Sequence, residues 1–117
     1  MHHELKVFCK NTLPFSVEEL SLIDEYFETK NLRKRDFLLK EGEVCNFIAF
    51  ISEGTIRYFQ LKEAVEKTWD VSFKNSWVTD FKSFTYGTVG NINLQAIEKT
   101  TVSIISKENL EKLYQAC

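Results

Sequence analysis

The sequence predicts a small, mainly β domain: an antiparallel jelly roll (a β-roll, or double-stranded β-helix) flanked by an N-terminal helix and a short C-terminal helix. The first observation is residues 37–59, in which apolar runs rich in Ile and Phe are separated by glycine turns at Gly42 and Gly54. Turn signals at such short spacing are typical of small antiparallel sandwiches and rolls. The second observation is that well-signalled helices are found only before and after this region.

Length and composition support one domain, residues 1–117, with one core. The chain has 117 residues, of which 44% are hydrophobic and 14% aromatic, and this suffices for a core without disulfides. The net charge of −2 argues against a surface that grips nucleic acid, because such a surface needs clustered positive charge. The only basic cluster, Arg33-Lys34-Arg35, is predicted to be a solvated turn.

The distribution of apolar residues and cysteines predicts a cytoplasmic location. No apolar run approaches the roughly 20 residues that a membrane helix needs, so we expect no membrane partner. The N-terminus is too polar for a secretory signal. Cys9, Cys45 and Cys117 are odd in number, far apart and without a CxxC pair, which predicts free thiols in a reducing compartment.

Catalytic, metal-binding and cofactor-binding patterns are missing from the sequence. His2 and His3 are the only histidines and stand at the terminus, so a metal site built on several imidazoles is excluded. An iron–sulfur cluster needs several cysteines near one another, and Cys45 is expected to be a small buried apolar residue, not a haem ligand. Because no Ser-His-Asp or Cys-His arrangement is available, we predict no cofactor, no metal and no enzyme activity.

Two helices are predicted to flank the roll. Residues 1–14 lack periodicity and are predicted to be a loose lead-in. Residues 15–28 begin with Ser16 as N-cap and Glu19 three residues later, which is a capping box. The apolar face of this helix has helical spacing and comprises Leu20, Ile23, Tyr26 and Phe27. The second helix, residues 107–116, is predicted to be capped by Ser106.

Residues 30–106 are predicted to form the roll. Apolar runs with strand character occupy Phe37–Leu39 and residues 47–51, 55–61, 66–73, 77–84, 93–97 and 101–105. Residues 62–65 are predicted to be a hairpin loop. Residues 66–73 alternate cleanly, which predicts a half-buried strand with one face made by Lys67, Trp69, Val71 and Phe73.

Three segments together resemble the effector domain of the Crp/Fnr family of bacterial transcription regulators. LPFSVEELSLI is similar to the entry helix of that family. LRKRDFLLKEGEVCNFIAFISEGTIRYF is similar to its signature with two glycine corners, and LQAIEKTTVSIISKENLEKLY to its closing strands and the following helix. The resemblance implies a β-roll of the cyclic-nucleotide-binding type. A cupin-type enzyme would share the jelly-roll architecture, but its metal site needs histidines that this chain lacks.

The resemblance also implies where a ligand would bind. Members that bind cyclic nucleotides carry a phosphate-binding cassette, in which a Gly-Glu pair precedes a short helix and an arginine then holds the phosphate. The matching stretch here is WVTDFKSFTYGTVGNINLQAIE, in which Thr79 and Asp80 take the place of the Gly-Glu pair. The ligand-binding residues that this match implies are Thr79, Asp80, Phe81, Asn91 and Asn93.

The cassette departs from the family pattern at its arginine. Gly90 or Asn91 falls where the arginine would be, and no arginine follows Arg57 in the chain. Lys82 lies early in the segment and is expected to face solvent. A buried phosphate would lack its main counter-charge, and an unpaired buried anion is costly. The expected ligand is therefore an unknown small molecule other than a standard cyclic nucleotide.

Two functions follow from these observations. In the first, the chain is the sensory domain of a Crp/Fnr-type transcription regulator, and DNA is contacted only through a dimerisation helix and a helix-turn-helix domain that are absent from residues 1–117. In the second, it is a ligand-free structural or protein-interaction module whose pocket is filled by aromatic side chains such as Trp69, Phe73, Trp77 and Phe81. A homodimer is compatible with both functions.

Overall fold

The computed structural model describes residues 2–12 and 17–116 of the chain. Within these residues the elements are, in order, α1 (His3–Thr12), α2 (Val17–Tyr26), β1 (Glu28–Leu32), β2 (Phe37–Leu39), β3 (Phe47–Glu53), β4 (Ile56–Lys62), β5 (Val65–Ser72), β6 (Trp77–Val78), α3 (Phe81–Tyr86), β7 (Asn93–Ala96), β8 (Thr100–Ser106) and α4 (Lys107–Ala116). The predicted fold class, a mainly β antiparallel roll with helices at its ends, is confirmed.

Two four-stranded antiparallel sheets face each other to form the roll. The first sheet has the strand order β1-β8-β3-β6, and the second has the order β2-β7-β4-β5. The main core is made of buried apolar residues from both sheets and from the corner before β3, and these are Leu32, Leu38, Leu39, Cys45, Phe47, Ala49, Ile51, Ile56, Val78, Leu94, Ala96 and Val102. Cys45 is thus a buried apolar residue, as predicted.

A second apolar cluster joins the helices to the outer face of the first sheet. Phe50 of β3 and Ile105 of β8 point away from the main core and contact helical residues such as Leu5 and Ile23. The first sheet is therefore covered on both faces. This explains why β3 is a continuous apolar run without polar alternation, since both of its faces are buried.

The N-terminal lead-in predicted for residues 1–14 is wrong where the structure describes it, because α1 occupies His3–Thr12. Leu5, Phe8 and Cys9 recur at helical spacing and pack into the second cluster. The sequence does not predict this helix because its N-terminus has no capping signal. Packing on the first sheet is its main stabilisation. The preceding residue, His2, is also buried.

The helix predicted for residues 15–28 is present as α2, with shifted ends. It ends at Tyr26 because Glu28 already pairs with Ile104 as the first residue of β1. The predicted cap Ser16 lies outside the described residues. At the other end of the chain, Ser106 caps α4 as predicted, because its Oγ accepts a hydrogen bond from the Asn109 backbone N–H at 3.0 Å.

The half-buried strand predicted for residues 66–73 is wrong in two respects. Residues 65–70 are all exposed, since β5 is the edge strand of the second sheet. The alternation is also interrupted, because Asp70 pairs with Tyr58 whereas Thr68 pairs with Phe59, which leaves Trp69 as the extra residue of a bulge. Residues on either side of the bulge therefore exchange faces, and the predicted common face does not form.

Candidate functional site

The segment that matches the cassette contains a short helix where the sequence predicted one apolar run over residues 77–84. Strand β6 ends at Val78, and Asp80 is the N-cap of α3. The Asp80 Oδ1 atom accepts a hydrogen bond from the Ser83 backbone N–H at 3.3 Å. This cap turns the chain from strand to helix, and it explains why the apolar run does not continue as a strand.

Ser83 fastens α3 to the roll. Its side chain is buried, and its Oγ accepts a hydrogen bond from the Cys45 N–H at 2.8 Å. The same hydroxyl donates to the Thr88 carbonyl at 2.6 Å. One side chain therefore joins the helix, the corner before β3 and the loop after the helix. The sequence reasoning did not identify Ser83.

The loop after α3 returns along the first glycine corner of the roll. The Gly42 N–H donates to the Gly90 carbonyl at 3.0 Å, and the Gly90 N–H donates to the Glu43 carbonyl at 3.1 Å. Val44 and Val89 form an isolated antiparallel bridge beside them. These backbone contacts fix the position of residues 89 and 90 relative to the rest of the site.

The Asp80 carboxylate lies directly against Gly90. A Cβ atom built on Gly90 would be 2.3 Å from Asp80 Oδ2, so any side chain at position 90 requires this carboxylate to move. Gly90 is one of the two residues, with Asn91, that the resemblance aligns with the cassette arginine. In this chain a half-buried negative group, not a positive one, therefore faces that position.

Thr79 and Tyr58 close the interior side of the site. The Thr79 Oγ1 donates to the Phe47 carbonyl at 2.8 Å, and the Thr79 N–H donates to the Tyr58 hydroxyl at 3.3 Å. Tyr58 packs against the main core, and burial raises the pKa of its phenol above 10.0. Tyr58 could have been found from the sequence, because it alternates with the inward-facing Ile56 on β4.

The remaining predicted site residues lie in different surroundings. Asn93 is buried, with its Oδ1 accepting from the Glu41 N–H at 2.9 Å and its Nδ2 donating to the Phe59 carbonyl at 3.4 Å. Phe81 is 74% exposed at the start of α3. Asn91 is exposed and lines a depression of about 400 Å³ whose other lining residues are Glu41, Gln60, Leu61, Lys62 and Trp69. The structure thus brings Asp80 close to the loop that carries Asn91, whereas Phe81 points to solvent and Asn93 bonds within the fold.

The predicted aromatic filling of the pocket is wrong. Trp69 and Phe73 are each 60% exposed, and Phe81 is more exposed still. Trp77 lies against Phe50, with ring centroids 5.1 Å apart, on the helical side of the first sheet. Trp69 is exposed because it is the extra residue of the bulge and lies on the edge strand β5.

Residues 2–12 and 17–116 contain no group of three or more His, Cys, Asp or Glu side chains arranged to hold a metal ion. Among the same residues, no helix has the length and apolar character that crossing a membrane requires.

Comparison with known proteins shows the fold. No family model and no curated protein sequence matches the chain. Among solved structures, it is similar to a cyclic nucleotide-binding domain from Methylobacillus flagellatus, with a TM-score of 0.83 and 17% identity over 97% of this chain and 65% of that one. It is also similar to the catabolite activator protein of Thermus thermophilus, with a TM-score of 0.75 and 16% identity over 87% of this chain and 48% of that one.

A third similar structure is a cyclic nucleotide-binding-like protein from Brucella abortus, with a TM-score of 0.73 and 20% identity over 92% of this chain and 89% of that one. At these identities the likeness shows the fold alone. The chain therefore has the fold of cyclic nucleotide-binding domains. It spans about half the length of the Thermus regulator.

Proposed function

We propose that this domain is the sensory domain of a cytoplasmic transcription regulator of the Crp/Fnr type, and that it binds a small ligand other than a standard cyclic nucleotide. The fold likeness to cyclic nucleotide-binding domains and to a catabolite activator protein supports the regulatory role. The short helix capped by Asp80, at the place of the cassette helix, supports the ligand site. DNA is contacted through a separate C-terminal domain of the intact regulator.

The contact between Asp80 and Gly90 is the observation that carries the proposal. A cyclic phosphate bound here would lie close to the Asp80 carboxylate with no guanidinium at position 90 to offset that charge. Like charges at short distance repel, and the half-buried position weakens solvent screening of that repulsion. A ligand that is uncharged or cationic, and that donates hydrogen bonds, suits the same carboxylate. The proposed ligand-contacting residues are Thr79, Asp80, Phe81 and Asn91. Asn93 instead holds the turn after β2, because its Oδ1 accepts a hydrogen bond from the Glu41 N–H.

One observation favours the second function, a ligand-free structural or protein-interaction module. Tyr58 of β4, Phe84 of α3 and Ile92 of the loop before β7 pack against the main core. These side chains, and not the exposed aromatic residues predicted from the sequence, fill the interior next to the cassette. In this module the same fold would present surfaces to a partner without taking up a ligand.

Calorimetry with cAMP and cGMP tests the proposal. We expect no binding in the micromolar range by the natural chain, and a gain of at least about tenfold in affinity when Asp80→Glu and Gly90→Arg are combined, because a charge-assisted bidentate contact is restored. The obstacle at position 90 is the end of a side chain, so the larger residue can be accommodated. Asp80→Glu combined with Thr85→Arg adds the same charge on the exposed side of α3 and is the control.

A dissociation constant in the low micromolar range for the natural chain would contradict the proposal.

A thermal-shift screen of uncharged and cationic small molecules then separates the sensory domain from the ligand-free module. A true ligand should raise the melting temperature of the natural chain and raise it less in Asp80→Asn, which keeps an N-capping side chain but loses the charge. If no compound of these classes shifts the melting temperature, the module is favoured.

A further inference from the structure

A basic groove lies on the second sheet, away from the cassette. It has a volume of about 480 Å³, and its polar lining comes from Lys34, Arg35, Arg57, Glu66 and Gln95. Arg57 and Gln95 are cross-strand partners on β4 and β7. Because their neighbours along each strand belong to the main core, these two side chains point to the outer face of the sheet. Thr79 of the cassette instead bonds Tyr58, which points to the inner face of the same sheet, so the two sites are separate.

Charge is concentrated in this groove. The chain has only three arginines, at positions 33, 35 and 57, and two of them line the groove although they are distant in sequence. Three cations and one carboxylate line it, which leaves two positive charges unbalanced on a protein whose net charge is −2. A locally positive concave surface on an acidic protein attracts anions.

Arg57 is held in one orientation. Its guanidinium carbon lies 3.9 Å from the centroid of the Phe59 ring. Its Nε and Nη2 atoms donate to Gln95 Oε1 at 3.0 and 2.6 Å, and the side chain is 19% exposed. A guanidinium that is already ordered loses little conformational freedom when it binds an oxyanion.

The turn that carries Arg35 is hydrogen-bonded to β7, the strand that contains Gln95. The Arg35 N–H donates to the Ala96 carbonyl at 2.8 Å, and the Arg35 carbonyl accepts from Gln95 Nε2 at 3.0 Å. Arg35 has a φ of 77°, which is unfavourable for a residue with a side chain. Gln95 therefore bonds both arginines at once, and a strained backbone places Arg35 at the edge of the groove.

Glu66 occupies part of the groove and forms a weak ion pair with Arg57. Its Oε1 accepts from Arg57 Nη2 at 2.9 Å, but its side chain is 54% exposed. An ion pair with one end so exposed contributes little stability. A ligand oxyanion can therefore displace the Glu66 carboxylate without loss of the Arg57 contacts to Gln95 and Phe59.

From this arrangement we propose that the groove binds a small ligand with at least two oxyanion groups, either carboxylates or phosphates. Arg57 and Arg35 bind the oxyanions, Lys34 adds positive charge, and the carboxylate of Glu66 moves aside. Ala96 and Ile97 provide the apolar part of the lining. This site is independent of the cassette, and it is not the site of the proposed sensory ligand.

Calorimetric titration with citrate and with inorganic pyrophosphate tests the site, and the two probes separate carboxylate from phosphate recognition. We expect saturable binding of at least one probe with one site per chain.

Arg35→Gly should weaken that binding at least about tenfold without lowering the melting temperature, because glycine adopts the same φ without strain. Arg33→Gln removes the one arginine that does not line the groove. It should leave the affinity for the probe within about twofold of that of the natural chain. Glu66→Gln should strengthen binding.

Two results would overturn the proposal: no saturable binding of either probe below about 10 mM, or an equal effect of Arg35→Gly and Arg33→Gln on the affinity. Weaker binding by Glu66→Gln would overturn the displacement of that carboxylate. Because neither probe is a cyclic nucleotide and no variant alters α3, failure here leaves the test of the cassette unaffected.

Discussion

Gly54, at the corner between β3 and β4, shows how closely one residue can be specified by its surroundings. Its φ is +100°, and the chain passes directly over the start of β8. A Cβ atom at this position would lie 2.3 Å from Thr100 Oγ1, 2.6 Å from Thr100 Cα and 2.7 Å from the Lys99 carbonyl oxygen. Two of these three atoms belong to the backbone and cannot rotate away, so only glycine fits.

We therefore predict that Gly54→Val lowers the free energy of unfolding by about 3 kcal/mol or more, the sum of backbone strain and steric conflict. The conflict also disturbs the Thr100 hydroxyl, which accepts from the Thr55 N–H at 3.1 Å. Thermal unfolding measures the change, and a loss of roughly 10 °C or more is expected for a domain of this size.

Gly42→Val is the matched control for this variant. Gly42 has a similar φ of +94°, but a Cβ atom there would meet no atom within 4 Å. Only backbone strain is then expected, about 1–2 kcal/mol. Equal melting temperatures for the two variants would show that the contact with β8 does not matter.

At the scale of an element, the six-residue helix α3 depends on its contacts with the roll, above all on those of the buried Ser83 hydroxyl. So short a helix is not stable by itself. Asp80 caps its first turn, and Ser83 bonds it to the corner before β3 and to the following loop. The helix is therefore positioned by the roll, and this is what places Asp80 against Gly90.

We predict that Ser83→Ala lowers the free energy of unfolding by about 1–3 kcal/mol, because the buried Cys45 N–H loses its acceptor and the Thr88 carbonyl its donor. Chemical denaturation measures the loss. Thr85→Ala, at an exposed position of the same helix, should change stability by less than about 0.5 kcal/mol. A Ser83→Ala protein as stable as Thr85→Ala would mean that the hydroxyl does not hold the helix.

At the scale of the whole molecule, His2 joins the helices to the roll. Its ring donates from Nε2 to the Phe27 carbonyl at 3.1 Å, which leaves Nδ1 to accept from the Ser103 hydroxyl at 2.6 Å. The charged groups that act on it include Asp24 and Lys6, which form a salt bridge with each other. Burial lowers the pKa of the His2 imidazole below its usual 6.5, and the Phe27 carbonyl opposes this shift in part.

The lowered pKa makes global stability depend on pH. Because the unfolded chain binds a proton at His2 more readily than the folded chain does, the free energy of unfolding should fall as the pH decreases through and below 6.5. The contribution of His2 is fully retained above that value. Salt-bridged Asp24 has a pKa lowered by its hydrogen bond from Lys6, so its own contribution is lost only below about pH 4.

Chemical denaturation at about pH 7.5 and pH 5.5, an interval that avoids most carboxylate titration, measures this dependence. His2→Gln should remove much of the difference between the two pH values. His3→Gln, which changes the exposed neighbouring histidine, should retain it. If His2→Gln keeps the full pH dependence of the natural chain, the titrating group lies elsewhere.

Patterns between near neighbours in the sequence predicted most of the fold. Glycine turns at Gly42 and Gly54, the strands on either side of them and the capped helix after Ser106 each depend on a few adjacent residues. Local backbone preference and hydrophobic period specify such features directly. The lack of an arginine in residues 77–98 was likewise visible in the sequence, because it is a matter of residue type alone.

The tertiary structure decided the features whose causes lie far apart in the chain. Packing on the first sheet makes a helix of residues 3–12, which have no capping signal, and it buries His2. The bulge at Trp69 exposes a face that alternation had assigned to the core. Asp80 meets Gly90 only because the loop after α3 bonds to the first glycine corner. Arg35 and Arg57 share a groove only because β7 lies between their elements. Contacts of this kind depend on the three-dimensional arrangement of strands, which local sequence periodicity does not encode.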